Sequence, residues 1–198
     1  MGRAKTFTDK RALEKAMFLF WRQGYEQTSI NELLKEMELL NGSFYHSFGS
    51  KKKLFIMALD AYEEDFVRQR NMLFNSPATF PQKIRTLFFH VLERQDSPCP
   101  RGCFLFNSVS SDVLIHKEFK QRIADMIKRF EDFLYEHLEL ATKNEEIKPL
   151  FPNKVIASVL ITYMQGLIKR CTLDFEHHGF KKQTEILLMS LGLCELKS

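Results

Sequence analysis

Hydrophobic residues recur every three or four positions through most of the chain, which is the spacing of one face of an α-helix. Between residues 28 and 54 this pattern falls into two short runs. The first run places four side chains on one face, and Thr28 or Ser29 can cap its helix: Ile30, Leu33, Leu34 and Met37. A tight connection at residues 38–40 leads to a second short helix that begins near Asn41. This arrangement predicts a helix-turn-helix, whose second helix is shaped to enter a major groove.

The residue types of the second helix suit contact with base edges. Leu39, Phe44 and Phe48 can hold it against the first helix. The other side chains are small or polar and are expected to face outward: Asn41, Gly42, Ser43 and His46. We predict that Asn41, Ser43 and His46 read bases.

Ser50 can cap a further helix that opens with three lysines, residues 51–53. The free N–H groups of a helix start and the lysine charges together favour phosphate binding. We predict that Thr28, Tyr45 and Lys51 anchor phosphates. The full predicted DNA-binding set is Thr28, Ser29, Asn41, Gly42, Ser43, Tyr45, His46 and Lys51.

Three segments of this region resemble the amino-terminal domain of TetR-family repressors. They read FWRQGY at 20–25, TSI at 28–30 and GSFYHSFGSK at 42–51. The family pattern is F-x-x-x-G-[YF]-x-x-T-[ST] followed by G-[ST]-[LF]-Y-x-x-F-x-[SD]-K. Glu38 stands where the family turn usually has Gly, and Leu40 stands where the second helix usually has a Ser or Thr cap. Because a positive φ is uncommon for a residue with a side chain, we interpret this connection as a variant turn.

The remainder of the chain predicts long helices with few breaks. Only 8 Gly and 6 Pro occur in 198 residues, which disfavours a turn-rich all-β fold. We predict an all-α fold of about nine helices. Further helices are expected at 8–23, 50–74, 80–94, 103–112, 119–140, 154–175 and 181–194. The resemblance implies a DNA-binding domain at residues 1–50 and an effector-binding and dimerisation domain at residues 51–198.

The positive charge is concentrated in the first quarter of the chain. Residues 1–55 hold ten Lys and Arg against six Asp and Glu, and the rest of the chain holds nineteen of each. The excess favours phosphate contact with counterion release, although four charges can also arise by scatter. No signal peptide is visible, and the longest apolar run, residues 155–168, is interrupted by polar residues. With four cysteines expected as free thiols, we predict a cytoplasmic protein that does not contact a membrane.

The resemblance also implies a partner and an effector. In the family the last two helices pair with their copies to form a four-helix dimer bundle; a helix buried within a monomer is the alternative for the segment around Gln165 and Gly166. Aromatic side chains fall on helices that line the family's effector pocket, although ordinary core packing explains any single one of them. The predicted effector-binding set is Phe88, Phe89, Cys103, Phe104, Asn107, Phe130, Phe133, Tyr163 and Gln165; His90 is a further polar candidate.

The stretch CPRGC at 99–103 carries the most suggestive chemistry of the second half. Arg101 and a following helix start would favour a reactive thiolate at Cys103, and Cys99 could pair with it in a switchable disulfide. An inert apolar filler is the alternative. Residues 102–107 also resemble a G-C-[LF]-x-x-N segment in one branch of the family. The histidines are scattered, so we expect no metal site, and we expect no cofactor. Nothing in the sequence places a base beside Cys103, so we do not expect an enzyme.

The function hypothesis is a homodimeric repressor that leaves a palindromic operator when a small apolar or thiol-reactive effector binds. The alternative is a thiol-based redox or electrophile sensor whose DNA binding is secondary.

Overall fold

The computed structural model describes residues 2–93, 102–171 and 178–194, and these hold ten α-helices and no strand. In chain order the helices are α1 (Gly2–Gln23), α2 (Ile30–Met37), α3 (Asn41–Phe48), α4 (Lys51–Phe74), α5 (Phe80–Glu93), α6 (Phe104–Asn107), α7 (Ser111–Leu114), α8 (Lys117–Lys143), α9 (Asn153–Cys171) and α10 (His178–Ser190). The predicted all-α class is confirmed. Among the described helices, none has an apolar stretch long enough to cross a membrane.

Ser29, rather than Thr28, caps α2. The Ser29 hydroxyl oxygen accepts a hydrogen bond from the backbone N–H of Glu32 at 3.2 Å, and the backbone N–H of Ser29 donates to the Glu32 carboxylate at 2.8 Å. This reciprocal capping box satisfies two backbone donors that the helix itself leaves unpaired. The hydrogen bonds from the Ser29 backbone and hydroxyl lower the pKa of the Glu32 carboxyl group.

The connection between α2 and α3 departs from the usual residues but keeps a left-handed backbone at its turn, which the interpretation as a variant turn did not expect. Glu38 ends α2 in the left-handed region, with φ 57° and ψ 41°. Its carboxylate lies 2.5 Å from the amine of Lys15 on α1. Leu40 then leads into α3 with an extended backbone and no side-chain cap. The turn therefore forms without the glycine and the polar cap that usually build it.

The long helix α4 begins at the predicted cap, where the Ser50 hydroxyl accepts a hydrogen bond from the backbone N–H of Lys53 at 3.2 Å. Its 24 residues run from the edge of α3 into the second half of the molecule. Three ion pairs join α4 to α8. The pairs are Lys52–Glu118, with a nitrogen–oxygen distance of 2.7 Å, Asp60–Arg122, and Glu63–Arg129, at 2.8 Å.

Several boundaries differ from the sequence prediction. Residues 103–112 were expected as one short helix but form two single turns, α6 and α7. The Ser108 hydroxyl donates to the carbonyl of Phe104 at 2.8 Å, which closes the first turn. Helices α8 and α10 each begin a little earlier than predicted. Residues 94–101 and 172–177, including Cys99, Arg101 and His177, lie outside the described residues.

An aromatic cluster joins the first three helices to the rest of the molecule. The ring of Tyr25, in the loop after α1, lies 4.9 Å from Phe55 on α4 and 4.9 Å from Phe119 on α8, measured between centroids. His116, just before α8, packs edge-on to Tyr25, and its Nε2 lies 2.9 Å from the carboxylate of Glu26. The buried core consequently extends from the first three helices into α4 and α8.

Candidate DNA-binding surface and effector cavity

Helix α3 presents one polar face to solvent. Phe44 and Phe48 are buried and hold the helix against the core. The remaining predicted residues of this helix are exposed: Asn41, Gly42, Ser43, Tyr45 and His46. A Cβ built on Gly42 would meet nothing within 4 Å, so the glycine leaves open space on this face. The geometry allows close approach of the helix to a groove.

Thr28 does not belong to this exposed surface. Its side chain is 0% exposed, and its hydroxyl donates a 2.6 Å hydrogen bond to the carbonyl of Gly24. The Thr28 hydroxyl is thus already used within the loop after α1, and its contact with a phosphate stays a prediction. Ser29 is exposed, but its hydroxyl is committed to the capping box with Glu32.

The three lysines at the start of α4 have three different environments. The Lys51 amine lies 4.4 Å from the centre of the Tyr25 ring and donates to the carbonyl of Glu26 at 3.4 Å, and burial lowers its pKa. Lys52 is paired with Glu118. Lys53 is exposed and has no ion pair within the described residues. The sequence prediction named Lys51 among the three, whereas the fold leaves Lys53 most available to a phosphate.

A cavity of about 190 Å³ lies between α4, α5, α6, α8 and α9. Its walls are mostly aromatic and aliphatic, as expected for a small-molecule pocket. Two residues of the predicted effector set, Cys103 and Phe130, line it, and so does His90. The other lining residues include Tyr62, Phe66, Arg70, Leu87, Leu105, Phe106, Met164 and Ile168.

The other seven residues of the predicted effector set do not line this cavity. They are Phe88, Phe89, Phe104, Asn107, Phe133, Tyr163 and Gln165. Phe88 is buried against Tyr163, with ring centres 5.5 Å apart. Phe104 and Asn107 line a separate cleft beside α1. Helical periodicity identifies which side of a helix is buried but not whether that side meets a void, so core and cavity residues could not be separated.

The cavity wall contains a cation that the sequence prediction missed. Arg70 on α4 is 9% exposed, and the centre of its guanidinium lies 3.7 Å from the centre of the Phe133 ring. Burial lowers its pKa to about 10, so the side chain stays protonated at neutral pH. The spacing of Phe66, Arg70 and Leu73, at i, i+4 and i+7, was the available signal.

Cys103 lies in the cavity wall directly before α6. Its sulfur accepts a hydrogen bond of 3.0 Å from the Tyr62 hydroxyl on α4. Its side chain is buried, and it is a free thiol. The predicted partners in the same loop, Cys99 and Arg101, lie outside the described residues, so the disulfide remains a prediction.

Large apolar side chains are exposed on the last two helices. Val155 on α9 is 51% exposed, and Ile186 and Met189 on α10 are 59% and 63% exposed. In the loop between α8 and α9, Leu150 and Phe151 are also exposed. A solvent-facing apolar group of this kind is typical of a protein–protein interface.

Two family models match the chain. The first, described as bacterial regulatory proteins of the tetR family, matches residues 12–58. The second, described as the tetracyclin repressor-like C-terminal domain, matches residues 81–183. The first match contains the helix-turn-helix, and the second contains α8 and α9.

Relatives of known sequence or structure agree with these matches. The helix-turn-helix transcriptional regulator YezE of Bacillus subtilis is 28% identical over 148 residues, which cover 74% of this chain and 76% of YezE. The repressor ComR of Escherichia coli is 32% identical over 112 residues, 56% of this chain and 53% of ComR. A cysteine variant of the regulator CifR, solved with 26-base-pair operator DNA, has a TM-score of 0.83 at 21% identity and covers 92% of this chain and 95% of its own.

Proposed function

Because the chain belongs to the TetR family of bacterial regulatory proteins, we propose that it is a dimeric repressor released from a palindromic operator by a small molecule. Membership makes it a helix-turn-helix transcriptional regulator and not an enzyme. The observation that carries operator binding in this proposal is the exposed polar face of α3, whose opposite side is buried through Phe44 and Phe48.

Base reading is assigned to the exposed polar side chains of α3. Asn41 and Ser43 lie in its first turn, and His46 lies one turn further along. An Asn side chain can bond to adenine through two atoms, and a serine hydroxyl can donate or accept. Tyr45 and Lys53 flank these groups and are suited to phosphates, which position the helix without reading sequence.

Dimerisation is assigned to α9 and α10. Val155, Ile186 and Met189 remain exposed in the single chain, and burying them against a second copy would remove apolar surface from water. Two-fold symmetry places the same patch on both subunits. It also presents two α3 helices, and helix-turn-helix dimers read half-sites about 34–36 Å apart.

Release is assigned to movement of α4. This helix supplies Tyr62, Phe66 and Arg70 to the cavity wall, and its first turn follows α3 directly. A ligand that fits the cavity better in one position of α4 shifts the population toward that position. The same shift changes the spacing of the two reading helices, so effector and operator affinities are reciprocally linked.

Selection of bound duplexes from a random DNA pool tests the DNA-binding part. The expected result is a palindromic consensus with half-sites one helical turn apart. Asn41→Ala should then change base preference at one position of each half-site, by roughly 1–3 kcal/mol. Asn144→Ala, at the exposed end of α8, is the control and should leave the consensus unchanged. A non-palindromic consensus, or a uniform loss for Asn41→Ala, would contradict the assignment.

The second candidate function is thiol-based sensing. The observation that favours it is the position of Cys103 in the cavity wall, in contact with Tyr62 of α4. A modified sulfur there would act on the same helix as a bound ligand. Thiol reactivity and salt-dependent DNA binding measured on one sample distinguish this candidate from a purely ligand-operated repressor.

A further inference from the structure

Arg70 is a buried cation without an anionic partner among the described residues. Its Nε is buried and has no hydrogen-bond acceptor. The two carboxylates that act on it electrostatically are Glu63 and Glu136. Glu63 is held by both Nε and Nη2 of Arg129, at 2.8 and 2.9 Å, and Glu136 is exposed. Neither forms an ion pair with Arg70.

Aromatic rings replace the missing carboxylate in part. The guanidinium centre lies 3.7 Å from the centre of the Phe133 ring, 5.6 Å from that of Phe130 and 5.8 Å from that of Phe66. Ring faces attract a cation but offer no strong hydrogen-bond acceptor. Burying a charged group whose N–H donors lack acceptors costs free energy. An anion bound beside the group supplies those acceptors and offsets the cost.

Most of the remaining cavity wall suits an apolar group of limited size. Leu87, Leu105, Phe106 and Met164 contribute walls without charge. The volume is about 190 Å³, and an apolar cavity of about 150 Å³ is large enough for benzene. One aromatic ring or a short alkyl chain, carrying a single small polar head, fits these dimensions.

We propose that the cavity binds a small amphipathic monocarboxylate, with its apolar part against the aromatic and aliphatic walls and its carboxylate paired with the Arg70 guanidinium. The fork of an arginine matches a carboxylate geometrically, and the pair is strengthened by low local polarity. This assignment rests on the proposed effector-controlled function and names the chemical class of the effector.

Calorimetric titration without DNA tests the proposal. The probes are phenylacetate against its uncharged isostere phenylacetamide, and hexanoate against hexanamide. We expect each carboxylate to bind wild-type protein at least about tenfold more tightly than its amide. In Arg70→Met the preference should disappear while amide binding persists, because the apolar walls remain.

Two further variants keep the test decisive. Arg68→Met changes an exposed arginine of the same helix, paired with Asp65, and should retain the full preference for the carboxylates. Arg70→Lys keeps the charge but loses the fork, so it should retain a reduced preference; it carries the test if Arg70→Met does not fold by circular dichroism. The proposal is overturned if wild type shows no carboxylate preference, or if the preference survives undiminished in the Arg70 variants. Operator binding by ligand-free protein is measured separately. Failure of the carboxylate assignment can therefore be distinguished from failure of the proposed repressor function.

Discussion

The hydroxyl of Tyr62 donates its hydrogen to the sulfur of Cys103, 3.0 Å away. This contact joins α4 to the short segment before α6, where both side chains line the cavity. Tyr62 is also packed edge-on against Trp21 of α1, with ring centres 5.4 Å apart. A change at the Cys103 sulfur therefore acts on a side chain that contacts the helix bracing the DNA-binding region.

Cys103→Ser should abolish any release of DNA by an oxidant or electrophile, because the reacting sulfur is removed. Tyr62→Phe should leave the thiol reactive but weaken the effect on DNA, because the contact to α4 is lost. Mass spectrometry of the modified thiol, alongside fluorescence anisotropy of labelled operator, reports both quantities. Cys194→Ser, at another free cysteine, is the matched control and should respond as wild type does. Release that persists in Cys103→Ser would exclude this residue as the sensor.

Lys53→Gln should weaken binding to all duplexes alike and reduce the slope of log Kobs against log salt by about 0.9, the value for one lost phosphate contact. Lys51→Gln should show a similar electrostatic change if its amine also reaches a phosphate, but in addition a lower Tm, since it removes the contact with the Tyr25 ring. Anisotropy titrations at several salt concentrations provide the slopes. An unchanged slope in Lys53→Gln would show that this side chain does not neutralise a phosphate.

Glu38→Gly should raise the Tm by about 2 °C, because glycine adopts the left-handed backbone of this turn without a steric penalty. The variant also loses the pair with Lys15, but that pair is exposed and contributes little. Thermal unfolding at fixed protein concentration measures the difference. Glu38→Ala, which loses the pair and keeps the strained backbone, should instead lower the Tm.

The ion pair between Lys15 and Glu38 makes the Tm difference between Glu38→Gly and wild type depend on pH. The Lys15 amine lowers the pKa of the Glu38 carboxyl group below its usual value. Its contribution to stability is therefore present above the unfolded-state pKa and is lost as the pH falls through the folded-state pKa. The advantage of Glu38→Gly over wild type should accordingly be larger at acidic pH than at neutral pH.

Ile186→Glu should dissociate the proposed dimer, because it introduces a charge into the apolar patch of α10. Analytical ultracentrifugation at micromolar concentration should show a monomer, and affinity for a full palindrome should fall while half-site binding changes little. Met72→Glu places the same charge at an exposed apolar position of α4 and should remain dimeric. A dimeric Ile186→Glu variant would place the interface elsewhere.

The DNA-binding helices were predictable because their local signals agree with one another. The Ser29 cap, the apolar spacing from Ile30 to Met37 and the Ser50 cap each specify a boundary within a few residues. Even the departure at Glu38 was visible, since the resemblance marks the position where the backbone has to turn. Exposure along α3 then follows from which side Phe44 and Phe48 occupy.

The cavity was much less predictable because it depends on contacts between distant parts of the chain. Phe88 and Phe130 both lie at apolar positions of a helical pattern, yet Phe88 packs in the core and Phe130 lines the cavity. Arg70 lies among several charged residues of α4, and only the packing of α8 against it shows that it is buried. The burial of Thr28 could not be predicted for the same reason, since it depends on how the loop after α1 folds back.

The aromatic cluster around Tyr25 also determines how far the molecule can be divided. Phe55 and Phe119 meet this ring from two different helices, so a fragment ending near residue 50 would leave the ring and its neighbours facing water. The packing around the helix-turn-helix is thus completed by side chains from α4 and α8. A chimaera that exchanges α1–α3 between related regulators would therefore also have to include the start of α4 and a compatible first turn of α8.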